Sequence, residues 1–132
     1  MSQSVLIDTC AWVAFLRSGQ GLLAERVAQA IADNSAVLCG VTVTELLQGA
    51  KGVKEKKQLD FLFANVPCVP VEPADWVTAG NTLQTLRLKG ITLPLTDALI
   101  ATLAQRKALP VLTIDAHFQH LSVGLVNLTT DK

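Results

Sequence analysis

Apolar and polar positions follow two rhythms along this chain, and the change from one to the other marks its elements. Short runs rich in apolar residues at Val5, Leu6 and Ile7, at residues 36–39, at 110–114 and at 124–128 are too short for helices and read as buried strands. Between them apolar residues recur every three or four positions. Trp12, Phe15 and Leu16 mark a helix over residues 9–16, and Leu23, Val27, Ala30 and Ile31 mark one over 22–34. Thr42 opens a helix carrying Leu46 and Leu47, and Leu59, Leu62 and Phe63 mark the next, over 54–63. Trp76, Ala79, Gly80, Leu83 and Leu86 share one face over 73–88, and Leu99, Ile100 and Leu103 form a stripe over 97–107. Gly19, Gly21, Asn34, Gly49, Gly52 and Gly90 punctuate these segments, Pro73 starts the fifth helix, and Thr96 is placed to cap the sixth. Residues 66–71 contain Pro67 and Pro70, which confine them to a short or edge strand.

Strands alternating with helices predict an α/β fold, because parallel neighbours need a crossover and a helix supplies it. The expectation is one domain over residues 1–132, a three-layer α/β/α sandwich with a mainly parallel central sheet. Ligands of such sheets bind beyond the carboxyl ends of the strands. Asp8 and Asp115 directly follow apolar strands, Glu45 falls in the first turn of the helix after the second strand, and Asp97 begins a helix. All four acids are thus expected at one edge of the sheet.

Each acid also has a purely structural reading. Thr42, Val43, Thr44 and Glu45 match the capping box, in which the glutamate closes back on the helix start. Asp97 suits the positive end of a helix dipole, and Asp115 suits the cap of a short turn through Ala116, His117 and Phe118. Asp8 is harder to explain this way, since an acid after a buried Val-Leu-Ile run is costly to desolvate without a partner. Two carboxylates about 4 Å apart repel by roughly 4 kcal/mol at an effective dielectric near 20, so a fold that gathers four of them calls for a divalent cation. Oxygen-only ligands point to Mg²⁺, with Mn²⁺ as the second choice, and to phosphoryl chemistry. His117 and His120, just after Asp115, could ligate a metal or touch a phosphate but read first as ordinary surface histidines; Glu25, Asp33, Glu55, Asp60, Glu72, Asp75 and Asp131 read as solvated surface.

Composition sharpens this picture. Half of the 132 residues are apolar and 17% are charged, which predicts a compact chain with apolar surface to spare. The 11 basic and 11 acidic residues cancel, so any contact with a nucleic acid is local. Candidate cations are Lys51, Lys54, Lys56 and Lys57, Arg17, and Arg87 with Lys89. Cys10, Cys39 and Cys68 are odd in number and form no C-x-x-C pair, as expected of reduced, buried cysteines in a cytoplasmic protein. No stretch is apolar for long enough to span a membrane.

Four motifs in this order resemble one known family: Val5-Leu6-Ile7-Asp8-Thr9, Val43-Thr44-Glu45-Leu46, Leu95-Thr96-Asp97-Ala98-Leu99-Ile100-Ala101, and Leu112-Thr113-Ile114-Asp115 followed by Phe118. Together they resemble the PIN-domain ribonucleases and, in size and layout, the VapC-type toxins of toxin-antitoxin pairs. The resemblance implies a PIN-like sandwich, often as a homodimer. It also implies Mg²⁺-dependent endonucleolytic hydrolysis of RNA by metal-activated water, and silencing by an antitoxin. It places the site on Asp8, Glu45, Asp97 and Asp115 as metal-holding residues, with Thr113 as the hydroxyl beside them and Thr9 as a second. One departure is His117, where many members carry a further acid. Trp12, Phe15 and Leu16, with the helices around Leu46 and Leu59, would either form a groove for an amphipathic antitoxin helix or pack in the core. A non-catalytic RNA- or protein-binding module and a housekeeping RNA-processing nuclease without antitoxin stand as the alternatives. A receiver domain lacks its paired acids here, and a dehalogenase-like phosphatase would need an acid where Cys10 stands.

Overall fold

The computed structural model describes residues 3–128. Four short parallel strands, β1 (Val5–Ile7), β2 (Ala36–Cys39), β3 (Cys68–Val69) and β4 (Val111–Leu112), form a sheet in the order β3-β2-β1-β4. Six helices connect them: α1 (Thr9–Val13), α2 (Leu22–Ala32), α3 (Gly40–Gln48), α4 (Val53–Asn65), α5 (Pro73–Leu88) and α6 (Leu95–Lys107). The expected α/β architecture with a parallel sheet is what the chain adopts.

Alternation along the strands divides the core in two. Successive side chains of a strand point to opposite faces, and the register pairs Leu6 with Val37 and Val111, and Ile7 with Leu112. Leu6, Val37, Cys39 and Val111 therefore join Ile100, Leu103, Ala104 and Phe118 in the core on the α6 side. Ile7, Ala36, Leu38 and Leu112 join Trp12, Val27, Leu46, Leu59 and Leu62 in the core on the other. Two cores on two faces make the three layers.

α6 lies against the sheet on one side and against α5 on the other. Its whole stretch from Asp97 through Ala104 is buried, where the sequence showed only a stripe. Ala79 of α5 meets Ala98 and Leu99 on its far side, and a helix covered on both sides is apolar all round. Trp76, expected inward on α5, is 52% exposed, because the inward positions are Asp75 and Ala79.

Asp75 departs furthest from expectation. Read as solvated surface, it is 3% exposed, and its two carboxylate oxygens accept from Arg106 Nε at 2.9 Å and Nη2 at 3.0 Å. Oδ2 also accepts from the Glu72 backbone N–H at 2.8 Å, and Arg106 Nη2 donates to the Pro70 carbonyl at 2.6 Å. The pair pins the start of α5 to the end of α6. Arg106 holds the Asp75 carboxyl below the usual carboxylate range. Asp75→Ala, which strands the guanidinium, is expected to cost about 2–4 kcal/mol at neutral pH. Because the folded pKa is depressed, this stabilisation is complete above the unfolded value of about 3.9 and is lost as pH falls through the folded value. Denaturant melts should show the gap between variant and parent narrowing below about pH 4; a gap constant to about pH 2.5 would mean that packing, not the ion pair, carries the effect.

Other expectations shift at their edges. The third helix begins at Gly40, two residues before Thr42, and Thr42 closes it by accepting from the Cys39 N–H at 3.2 Å. α6 begins at Leu95 after Pro94, so Thr96 is not its cap and Asp97 is its third residue. The helix that starts at Thr9 widens into a π turn over Ala14–Ser18 and ends on Gly19, whose φ of +66° favours glycine. Residues 124–128 form a single parallel bridge, Val111 to Leu125, rather than a strand. All three cysteines are free, Cys39 buried and Cys10 half-buried, but Cys68, on the edge strand, is exposed. No described helix is long and apolar enough to cross a membrane, and Asp131 lies outside the described residues.

Candidate active site

The strand order places a topological switch point between β1 and β4. The chain leaves β1 toward β2 and β3 on one side, then returns across the sheet to β4 on the other. Such a reversal opens a crevice beyond the carboxyl ends of the two strands. Asp8 follows β1 and Thr113 follows β4 into this crevice.

Asp8 is 5% exposed and caps α1, with Oδ1 accepting from the Thr9 N–H at 2.8 Å. Oδ2 accepts from the Thr113 hydroxyl at 2.8 Å, and the Asp8 N–H donates to the Leu112 carbonyl at 3.0 Å. Thr113 Oγ1 in turn accepts from the Asp115 N–H at 2.9 Å. One buried hydroxyl thus ties two of the four acids together across the switch point. Cys10 joins them, its Sγ 3.6 Å from Asp8 Oδ2 and 3.5 Å from Thr113 Oγ1, and burial raises its thiol pKa.

Asp115 caps the short helix Ala116–His120, with Oδ1 accepting from the His117 N–H at 2.9 Å. That turn folds the imidazole back onto the acids: His117 Nδ1 lies 2.8 Å from Asp97 Oδ2 and 3.2 Å from Asp115 Oδ1. With both acids ionised they can only accept, and the bond then requires the proton on Nδ1. Burial, joined by the charges of Asp115 and Asp8, pushes the Asp97 carboxyl above its ordinary range more than the His117 bond lowers it. The bond to Asp97 likewise raises the imidazole, with the Asp115 charge adding to it. Both directions mean that the pair keeps its proton to higher pH.

Glu45 does not take the capping role its sequence context offered. With α3 starting at Gly40 it falls in the second turn rather than the first, and its Oε1 accepts from the Thr9 hydroxyl at 2.5 Å. Thr9 is next to Asp8, so Glu45 is linked to the same edge. The donors fit a divalent cation: oxygens of Asp97 and Asp115 and a ring nitrogen of His117 lie within 4.8 Å of one another, Asp8 and Glu45 are tied to the same edge through Thr113 and Thr9, and Asp97 is buried among like charges that a cation would offset.

A model of the PIN domain matches residues 5–124 of the chain. The chain belongs to the PIN-domain family. Ribonuclease VapC11 of Mycobacterium tuberculosis is 30% identical over 118 residues, which cover 86% of this PIN domain and 88% of that protein. Among solved structures, VapBC2 of Rickettsia felis bound to a promoter DNA fragment superposes with a TM-score of 0.79 at 16% identity, covering 95% of this chain and 98% of that one. Mycobacterium tuberculosis VapC20, a sarcin-ricin-loop-cleaving toxin, gives 0.72 at 17% identity, covering 94% and 99%.

Within this PIN domain the acids named from the sequence reach one edge, and Thr113 sits between two of them. His117, read first as a surface histidine and only second as a residue of the site, is a partner of both Asp97 and Asp115. The signal was the spacing: an Asp capping a turn accepts from the N–H two residues on, which brings that residue's side chain alongside. Arg17, a candidate for substrate contact, instead donates to the Gly49 carbonyl at 3.0 Å and lies 3.9 Å from Glu55.

Proposed function

We propose that this PIN domain is a divalent-metal-dependent endoribonuclease, the toxin of a toxin-antitoxin pair, with its site on Asp8, Glu45, Asp97, Asp115 and Thr113. The observation that carries the reading is the convergence at the switch point, where Thr113 bonds Asp8 and Asp115 while His117 joins Asp115 to Asp97. The 30% identical relative is named a ribonuclease, and a neighbour in fold is named a sarcin-ricin-loop-cleaving toxin.

Asp8, Asp97 and Asp115 would hold Mg²⁺ or Mn²⁺. When bound, the cation would lower the pKa of the attacking water and stabilise charge on the phosphate oxygens. Thr9 N–H and the Thr113 hydroxyl each occupy one oxygen of Asp8, so that carboxylate is fixed before substrate arrives. Thr9 likewise orients Glu45 through Oε1, which leaves Oε2 to take a proton from the nucleophile. Because water rather than the ribose 2′-hydroxyl attacks, products should carry 5′-phosphate and 3′-hydroxyl ends. Cleavage of an RNA panel by the purified chain should require Mg²⁺ or Mn²⁺, stop with EDTA and leave those ends. Ends bearing 2′,3′-cyclic phosphate would overturn the mechanism.

The proposal includes an antitoxin and a homodimer. A groove of about 1160 Å³ runs beside α4, lined by Phe15, Leu16, Val53 and Phe61, with Lys54 and Lys57 along it. We assign it to an amphipathic antitoxin helix whose acids meet the two lysines. Trp12 does not line it; fully buried, it belongs to the core. Phe61 is 73% exposed, so Phe61→Glu should leave the melting temperature within about 2 °C of the parent. In a co-purification assay with the antitoxin it should lower affinity at least about tenfold, as for loss of a buried aromatic anchor.

A further inference from the structure

We propose that His117 is itself a metal-binding residue of this site, and that its nitrogen shifts the preference of the site from Mg²⁺ toward a first-row transition ion such as Mn²⁺ or Co²⁺. The inference rests on the metal-dependent reading above and adds to it a donor of a different kind.

Three atoms on two separate elements carry it. One carboxylate oxygen of Asp97, one of Asp115 and a ring nitrogen of His117 all lie within 4.8 Å of one another. Nδ1 is 2.8 Å from Asp97 Oδ2 and 3.2 Å from Asp115 Oδ1. Neighbouring ligands of an octahedral ion with bonds of about 2.1 Å stand about 3 Å apart, so Nδ1 already has the spacing of a shared coordination sphere with both carboxylates. Nδ1 faces both acids at these distances, the position a ring nitrogen takes when it shares an ion with them.

The ring is held in that orientation by more than the acids it faces. Asp115 accepts from the His117 backbone N–H at 2.9 Å, and the next residue, Phe118, is buried in the core. Rotating the imidazole away would leave the turn in place and the carboxylates facing each other unrelieved. His117 is still half-exposed, so an ion has a path to it. His120, at the end of the same short helix, is exposed and makes no contact with these acids among the described interactions, which makes it an internal control.

The chemistry of the donor sets the choice of ion. Mg²⁺ prefers oxygen and gives up water reluctantly, whereas an imidazole nitrogen binds first-row transition ions with affinity rising from Mn²⁺ to Co²⁺. One imidazole added to the carboxylates therefore gives the site a selectivity that a carboxylate-only site lacks.

The test uses the full chain loaded with Mn²⁺, read by pulsed electron paramagnetic resonance for coupling to a directly bound ¹⁴N, and by calorimetry with Mn²⁺ and Mg²⁺. The parent and His120→Asn should show the nitrogen coupling, and His117→Ala should lose it. His117→Ala should also bind Mn²⁺ about tenfold or more weakly, with Mg²⁺ affinity changed less than about threefold. If Mn²⁺ binds at a site lost in Asp97→Asn but without nitrogen coupling, His117 is not a ligand and the inference fails while the nuclease reading stands. If the folded chain binds neither ion, the inference and the metal-dependent reading fall together.

Discussion

Asp97→Asn is expected to slow RNA cleavage by about a thousandfold or more, since it weakens cation binding and removes a charge that acts where the phosphate reacts. The fold should survive it. Asp97 is 7% exposed and its carboxyl is pushed above the ordinary range, mainly by burial and then by Asp115 and Asp8. An acid whose folded pKa is raised opposes folding when ionised at neutral pH, and the opposition fades as pH falls from the folded value and is gone below the unfolded one. Asparagine removes the charge and keeps an oxygen to accept from His117 Nδ1. The variant should therefore melt at or slightly above the parent temperature. Single-turnover cleavage with a thermal melt on the same sample checks both halves. A variant that is inactive because it is unfolded would not support the assignment, and a folded variant of full activity would remove Asp97 from the site.

The second large effect is expected at Thr113, which need not touch substrate. Its hydroxyl donates to Asp8 Oδ2 and accepts from the Asp115 N–H, and it is 8% exposed. Thr113→Val keeps the shape and leaves a buried carboxylate oxygen and a backbone N–H each short of a partner, at a cost of about 1–3 kcal/mol. Two acids on different strands lose their common tether, and cleavage should fall about a hundredfold. Thr113→Ser restores the hydroxyl and should recover most of the rate. If serine rescues stability but not cleavage, the methyl group rather than the hydroxyl positions the acids.

The sequence exposed the strand ends because an acid directly after a buried apolar run is conspicuous, as at Asp8 and Asp115. It also carried the helices wherever one face was apolar. It was silent where a residue's environment depends on a distant partner. Asp75 looks like any acid in a first helical turn; its burial comes from Arg106, 31 residues on. The far side of α6 looks redundant until α5 covers it. Residues 124–128 have the composition of a strand, yet only Val111 is there to pair with. Glu45 fits a capping box by spacing alone, and it was Thr42, closing on Cys39 from inside a helix that starts earlier, that released it for Thr9.

The central position of β1 has a consequence for synthesis. This strand is made well before one of its two neighbours in the sheet, β4, and Asp8 waits for a hydroxyl 105 residues further along the chain. At about 5–20 residues per second the ribosome needs roughly 5–20 s to cover that distance. Until then Asp8 has no Thr113 to hold it, and Asp97, Asp115 and His117 are unmade or unassembled. On the nuclease reading proposed above, a growing chain has no assembled site until synthesis has passed His117 and β4 has docked beside β1.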